Sequence, residues 1–244
     1  MVMIGQLNNL KKEEQKKFQK IGWRGCCALA AFFVATFVIT FFVLMFWHYY
    51  KQINSADFTE EILNNTNTAN RQLVETKDDP FWGGADAKIV IVEFGDFQCS
   101  VCKQMMPILR ELNLEYPDQI KFIYRDYLNN ISSQKAAEAA QCANEQGQFL
   151  AYHDKLFLNQ ENLDINSLKT YAREVGIKNI NKFDNCLDSN QFELEVQQDY
   201  KEAQELEVKG APTFFVNGIK IEGARPKEFF EQIVEYENTK TRKQ

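Results

Sequence analysis

The sequence predicts an α/β domain, a central sheet with helices on its faces and one inserted all-helical subdomain, preceded by a single transmembrane helix. Three observations carry this. Short apolar, β-branched runs at 88–94, 120–127 and 213–221 are separated by helical patterns. From 132 to about 207 the periodicity is helical and no good strand intervenes. Ahead of all of these, Gly25–Tyr50 is a run of 26 residues without a formal charge, counting His48 as neutral.

Residues 1–24 form a short basic segment with Lys11, Lys12, Lys16, Lys17, Lys20 and Arg24 against Glu13 and Glu14. The span at 25–50 is densest over 28–47, ALAAFFVATFVITFFVLMFW. At about 1.5 Å per residue those residues cover roughly the 30 Å hydrocarbon core of a bilayer. Trp23 and the trio Trp47, Tyr49 and Tyr50 provide interfacial aromatics at the two ends. A buried core helix of this length would show a polar face. A cleavable signal peptide would have a shorter apolar region and a small-x-small site. The run therefore reads as a retained signal-anchor. The basic cluster before it, with only Lys51 directly after it, places the N-terminus in the cytoplasm and everything beyond residue 50 outside. Cys26 and Cys27 at its cytoplasmic edge read as small apolar filler before palmitoylation sites.

Residues 51–79, rich in Asn, Thr, Asp and Glu, cannot bury a core and read as a polar linker. The folded domain is expected over 80–239, with a tail at 240–244. Pro80–Gly84 reads as its opening turn. Lys88–Phe94 (KIVIVEF) is nearly continuous in apolar residues, as a strand buried on both faces should be. Asp96 to Cys99 is a short loop, and a helix with Pro107 inside it follows from about Ser100 to Tyr116. Ile120–Tyr127 is the second strand. The helical insertion, about 132–207, is punctuated at Gly147, Asn162–Asp164 and Gly176. Thr213–Val216, an Asn217–Gly218 turn and Ile219–Ile221 make a hairpin, and Pro226 opens a last helix over Lys227–Tyr236.

Charge narrows the function classes. The chain carries a formal −6, split into +4 over residues 1–50 and −10 beyond them. So acidic a domain is a poor partner for phosphates, so no nucleic acid is expected. Two histidines, His48 and His153, exclude a site needing several imidazole ligands. That leaves the cysteines outside the span: Cys99 and Cys102 in a CxxC, with Cys142 and Cys186 apart from them.

The CxxC falls between a buried strand and the first turn of a helix. Unsatisfied backbone N–H groups and the positive end of the helix dipole there favour thiolate over thiol. A second thiol one turn later can close a disulfide or resolve a mixed one, which is the chemistry of thiol–disulfide exchange. Half a zinc site is the bland alternative, but the other cysteines stand 40 and 84 residues past Cys102 and apart from each other. An inert structural disulfide is a second alternative. A cysteine protease would need a base, and only His153 is available, without supporting spacing.

The segments DAKIVIVEFGDFQCSVCKQMMP at 86–107, GQFLAYHDKLF at 147–157 and GAPTFFVNG at 210–218 resemble the DsbA-type thiol–disulfide oxidoreductases of the thioredoxin superfamily, in particular their membrane-anchored branch. The resemblance covers roughly Asp79 to Tyr236. It implies that Cys99 is the nucleophile, Cys102 the resolving thiol and Pro107 the kink-forming proline. It also implies that Pro212 is the cis-proline that faces the pair and helps hold extended substrates, with Glu93 the acidic residue beneath the site. Ser100, Val101 and Ala211 then line the substrate position. Two features depart from the family. Ser100–Val101 lacks the histidine of strongly oxidising members and the proline of many others, which removes one source of thiolate stabilisation. Ala211 replaces the more usual valine or threonine.

The function so implied is an extracytoplasmic oxidoreductase that introduces disulfides into reduced exported polypeptides. It would be reoxidised by a quinone-linked membrane protein and need no organic cofactor or metal. A reductase or isomerase on the same fold and a non-catalytic thioredoxin-like binding module or chaperone are the competing readings. Cys142, in the alanine-rich segment 135–146, and Cys186, one turn after Phe183, are expected to pair as a structural disulfide, as cysteines at similar places in some relatives suggest. Two reduced, separately buried thiols are the alternative.

Overall fold

The computed structural model describes residues 33–48, 74, 79–129 and 131–241. The chain divides into two compact units, Met1–Glu61 and Ile62–Gln244. In the first, residues 33–48 form helix α1. Its apolar side chains point outward, with Phe33 67%, Phe37 72% and Phe46 70% exposed. The hydroxyls of Thr36 and Thr40 donate to the carbonyls of Phe33 and Phe37 at 2.9 Å each, so they need no outside partner. No helix among the described residues is long and apolar enough to cross a membrane. The ends of the expected 25–50 span, with Cys26 and Cys27, lie outside the described residues, as does most of the polar linker.

Among its described residues the second unit has five strands: β1 (Phe81–Gly83), β2 (Ile89–Gly95), β3 (Ile120–Asp126), β4 (Thr213–Val216) and β5 (Ile219–Glu222). Their order across the sheet is β1-β3-β2-β4-β5. β2 lies at the centre, parallel to β3 and antiparallel to β4. Both its edges are hydrogen-bonded and every residue but Val90 is buried, as its unbroken apolar run requires. The segment read as an opening turn contains β1, which pairs antiparallel with β3. Trp82 at its centre stacks on Phe122 of β3 with ring centroids 5.3 Å apart, and that burial makes a three-residue strand worth forming.

Helices cover both faces. They are α2 (Ser100–Glu115), α3 (Ile131–Asn144), α4 (Phe149–Leu158), α5 (Ile165–Glu174), α6 (Ile180–Asp188), α7 (Glu193–Glu205) and α8 (Lys227–Thr241). On one face Val92, Phe94, Ile123 and Phe215 meet Ala203 of α7 and Val208. On the other, Phe214 packs edge-on against Phe230 of α8, and Tyr124 against His153 of α4. A fully buried phenylalanine of this kind contributes about 1.5–3 kcal/mol. The five helices α3 to α7 are the expected insertion, joining β3 to β4. α8 runs past the expected Tyr236 to Thr241.

The two described residues of the expected linker, Val74 and Asp79, belong to the folded unit. Val74 is buried with the α7-side core, and Asp79 lies 3.5 Å from the buried guanidinium of Arg125. Arg125 also reaches Asp199 at 2.5 Å and Glu202 at 2.7 Å, both on α7. A buried guanidinium is tolerable only with this many partners. Part of the acidic excess seen in the sequence is therefore consumed inside the fold.

Candidate active site

Cys99 ends the loop after β2 and is the N-cap of α2, in extended backbone conformation (φ −76°, ψ 115°). Apolar residues at Cys102, Met105, Leu109 and Leu112 form the buried stripe of that helix, which fixes which thiol faces out. Cys99 is half-buried and Cys102 is buried; both are reduced. The backbone N–H of Cys102 donates to Cys99 Sγ at 3.1 Å, in the place an N-cap oxygen would occupy. Hydrogen bonding from Cys102 and from the Val101 backbone outweighs partial burial and holds the Cys99 thiol down at about 7, against an ordinary 9.0. Cys102 moves far the other way. Burial, its hydrogen bond with Cys99 and the nearby charge of Glu93 all favour its neutral thiol.

The loop that presents Cys99 is held from below. Asp96, itself buried, accepts from the Gln98 N–H at 2.7 Å, the Ser133 hydroxyl at 2.7 Å and the Asn129 carboxamide at 2.7 Å. Its carbonyl accepts from the Cys99 N–H at 2.9 Å. Phe97, fully buried, packs on Tyr124 and on Phe157 of α4, with centroids 5.1 Å apart in each case. Gly95 is required by the same packing, because a Cβ there would sit 2.6 Å from the Tyr124 ring. From the insertion, the Gln160 carboxamide donates to the carbonyls of Phe97 at 2.8 Å and Cys99 at 2.9 Å.

The remaining expected site residues converge on this point. The Ala211–Pro212 peptide is cis, and the Cys99 thiol donates to the Ala211 carbonyl at 3.3 Å. Pro212 is buried and Ala211 half-buried. Ser100 and Val101 are exposed on the first turn. Glu93 is not an end-of-strand charge turned to solvent. It is 3% exposed, its Oε1 has no hydrogen-bond partner, and burial with the negative charge of Cys99 pushes it up to about 8.

Two residue groups lie outside this constellation. Cys142 of α3 and Cys186 of α6 form a disulfide, Cα–Cα 6.0 Å, so the alternative of two reduced thiols is set aside. Both are buried within the helical insertion. His153 is a core residue, walled by Trp82, Phe97, Tyr124, Phe149 and Phe157, with Nδ1 3.0 Å from Asp154. Burial lowers its basicity, and it is not placed as a base for Cys99. Asp96, Phe97, Ser133 and Gln160 have no motif of their own in the sequence. The acid after a strand in GDFQC marked only a loop, and Gln160 lies 61 residues from Cys99.

Comparisons with known proteins bear on the family and the fold. The family model for Thioredoxin matches residues 75–236, well over half of the chain. The crystal structure of oxidised BdbD from Bacillus subtilis superposes with a TM-score of 0.62 and 26% identity, covering 68% of this chain and 96% of that one. The thiol-disulfide exchange protein alpha-DsbA2 from Wolbachia pipientis superposes at 0.61 with 17% identity, covering 75% and 97%, a likeness of fold. Among curated sequences, the Na(+)/H(+) antiporter NhaA 3 of Salinispora tropica is 35% identical over 144 residues, 58% of this chain and 22% of that protein. The chain thus spans about a fifth to a quarter of the length of the curated relatives it matches. With the CxxC at a helix N-terminus and the carbonyl of the cis Ala211–Pro212 peptide hydrogen-bonded to its first sulfur, the chain belongs to the thioredoxin family.

Proposed function

We propose that this protein introduces disulfides into reduced exported polypeptides, with Cys99–Cys102 as the electron acceptor. The observation that carries the direction is the N–H of Cys102 on Cys99 Sγ. A group that stabilises the Cys99 thiolate stabilises the reduced enzyme, which makes the oxidised enzyme the better oxidant. Ser100 and Val101 add no positive charge, so the oxidising power expected is moderate.

In the forward reaction a substrate thiolate attacks Cys99 of the disulfide. A substrate–Cys99 bond forms, the Cys99–Cys102 bond breaks, and Cys102 leaves as a thiolate in surroundings that disfavour its charge. Glu93, protonated at neutral pH, is the proton source beneath it. A second substrate thiolate attacks the substrate's own sulfur and expels Cys99. Two electrons pass to the enzyme and one disulfide to the substrate. The Ala211 carbonyl and Pro212 form the ledge beside which an extended substrate chain is held, with Ser100 and Val101 along the opposite side. Reoxidation falls to a quinone-linked membrane protein, and no metal or organic cofactor enters these steps.

The enzyme acts outside the cytoplasm, held by residues 25–50. The outward-facing phenylalanines of α1 and the internally bonded hydroxyls of Thr36 and Thr40 support a lipid environment. An impermeant thiol reagent on intact cells is expected to label reduced Cys99 and spare Cys26 and Cys27; the reverse pattern would refute this orientation. The function itself is tested with residues 62–244, the second compact unit. Stoichiometric oxidation of a reduced model protein supports the proposal. Insulin reduction without such oxidation would assign the reductase role instead, and inactivity in both would assign a binding role.

A further inference from the structure

We propose that Gln160 is a positioning residue for the nucleophile, setting the acidity of Cys99 through the backbone of the catalytic loop. The proposal rests on Cys99 being the attacking thiol, and it adds a determinant from the helical insertion that does not touch sulfur.

The geometry is specific. A carboxamide NH2 has two hydrogens, and Gln160 spends both on two carbonyls of one loop, Phe97 at 2.8 Å and Cys99 at 2.9 Å. The Cys99 carbonyl already accepts the first intrahelical bond of α2, from the Lys103 N–H at 3.1 Å. Gln160 supplies its second donor and so fixes the tilt of the Cys99–Ser100 peptide unit. That peptide leads directly into the turn whose Val101 and Cys102 N–H groups address the Cys99 sulfur. A change in the tilt lengthens those contacts, and such hydrogen bonds weaken steeply with misalignment.

Gln160 is able to hold this position because its own turn is pinned. The Asn159 N–H donates to the Leu156 carbonyl at 3.0 Å and the Asn159 carboxamide to the Lys155 carbonyl at 2.7 Å, closing α4. The Asn162 N–H bonds back to the Asn159 carbonyl at 2.9 Å, and the Tyr171 hydroxyl of α5 holds the Asn162 carbonyl at 2.9 Å. One turn before Gln160, Phe157 packs on Phe97. Besides the Ser133 bond from α3, α4 and the turn after it therefore grip the loop twice, by an aromatic contact and by a two-pronged hydrogen bond. Of these two only the hydrogen bond reaches the carbonyls of Phe97 and Cys99.

The test is the pH dependence of Cys99 alkylation in the reduced protein with Cys102 in place and the Cys142–Cys186 bond intact, the modified residue being assigned by peptide mass. Gln160→Met keeps the bulk and removes both donors. Its alkylation midpoint is expected to rise by about half a unit to one unit, so that the rate at pH 6 falls roughly three- to tenfold. A melting temperature measured alongside separates this from general loosening, which would move the melt and leave the midpoint in place. A folded Gln160→Met protein with an unchanged midpoint overturns the proposal. If Gln160→Met does not fold, Gln160→Asn, which keeps the amide but shortens its reach, is read by the same midpoint and the same criterion. The unsubstituted Gln160 protein distinguishes the two levels of the argument. If its own midpoint lies at the ordinary thiol value, the nucleophile assignment fails and Gln160 with it; if it is acidic and insensitive to Gln160, only the Gln160 assignment fails.

Discussion

The two cysteine pairs of the folded unit are made of the same atoms in opposite surroundings. Cys99 and Cys102 are three residues apart, reduced, at a helix N-terminus, with one sulfur half-exposed and hydrogen-bonded by backbone N–H. Cys142 and Cys186 are 44 residues apart, joined, and buried at 1% and 3% exposure. Their neighbours on α3 include Ala139, Ala140 and Ala143, all buried, which offer no donor to a thiolate. Exchange needs both access and a stabilised thiolate, so the first pair is equipped to cycle and the second is not. Proximity in sequence does not decide this; the backbone groups aimed at the sulfur do.

The comparison breaks most visibly at the first pair. Cys102→Ser is expected to accumulate substrates as mixed disulfides on Cys99, visible on non-reducing gels, and Cys99→Ser to lose both trapping and turnover. Trapping by Cys99→Ser would reverse the two roles. Removing the second pair with Cys142→Ala and Cys186→Ala should instead leave turnover in place and lower stability. Closing a loop of 44 residues contributes at most about 4 kcal/mol in the chain-entropy treatment. Denaturant melts of the double variant check this, and a stability equal to the parent would make the bond ornamental.

A smaller effect sharpens the contrast from beneath the first pair. Burial raises Glu93 from its usual 4.5 to about 8. Between those values the unfolded chain has released the proton and the folded chain has kept it. Stability therefore falls as pH rises from about 4.5 to 8, and the full cost is present above 8. Glu93→Gln removes it. In the oxidised protein, where Cys99 carries no charge, the variant is expected to gain on the order of 2–4 kcal/mol over the parent between pH 4 and pH 8. A difference that stays flat with pH would place Glu93 in contact with solvent.

Much of this was legible because it is local. KIVIVEF predicts a central strand, and the CxxC at the start of the next helix predicts the redox pair, while the buried stripe Cys102, Met105, Leu109 and Leu112 that covers the second cysteine was seen only in the structure. Asn217–Gly218 announces its hairpin, with both residues at positive φ, 46° and 81°. What the sequence hides is decided at a distance. Phe81–Gly83 has turn residues on both sides and becomes a strand only because β3 offers it a free edge. Asp79 looks like linker until Arg125 and Asp199 are brought to it. The burial of Glu93 had modest support from Val92 and Phe94; its place beneath the site depended on the family resemblance. Gln160 is one polar residue in a turn, without any periodic or motif signal.

The sheet order has a consequence for the helical insertion. Phe94, next to last in β2, pairs with Arg125 of β3 on one side and with Thr213 of β4 on the other. The chain therefore departs from the sheet at Asp126 and re-enters at Thr213 roughly 10 Å away, two strand spacings across, with the mouth of β2 between the two points. Whatever joins them has its endpoints pinned on either bank of the nucleophile. The insertion can lengthen, shorten or exchange helices while the sheet stays as it is, and each such change acts on the Cys99 loop through the contacts of Ser133, Phe157 and Gln160. The surroundings of the nucleophile can thus be redrawn in the span while the abutments stay fixed.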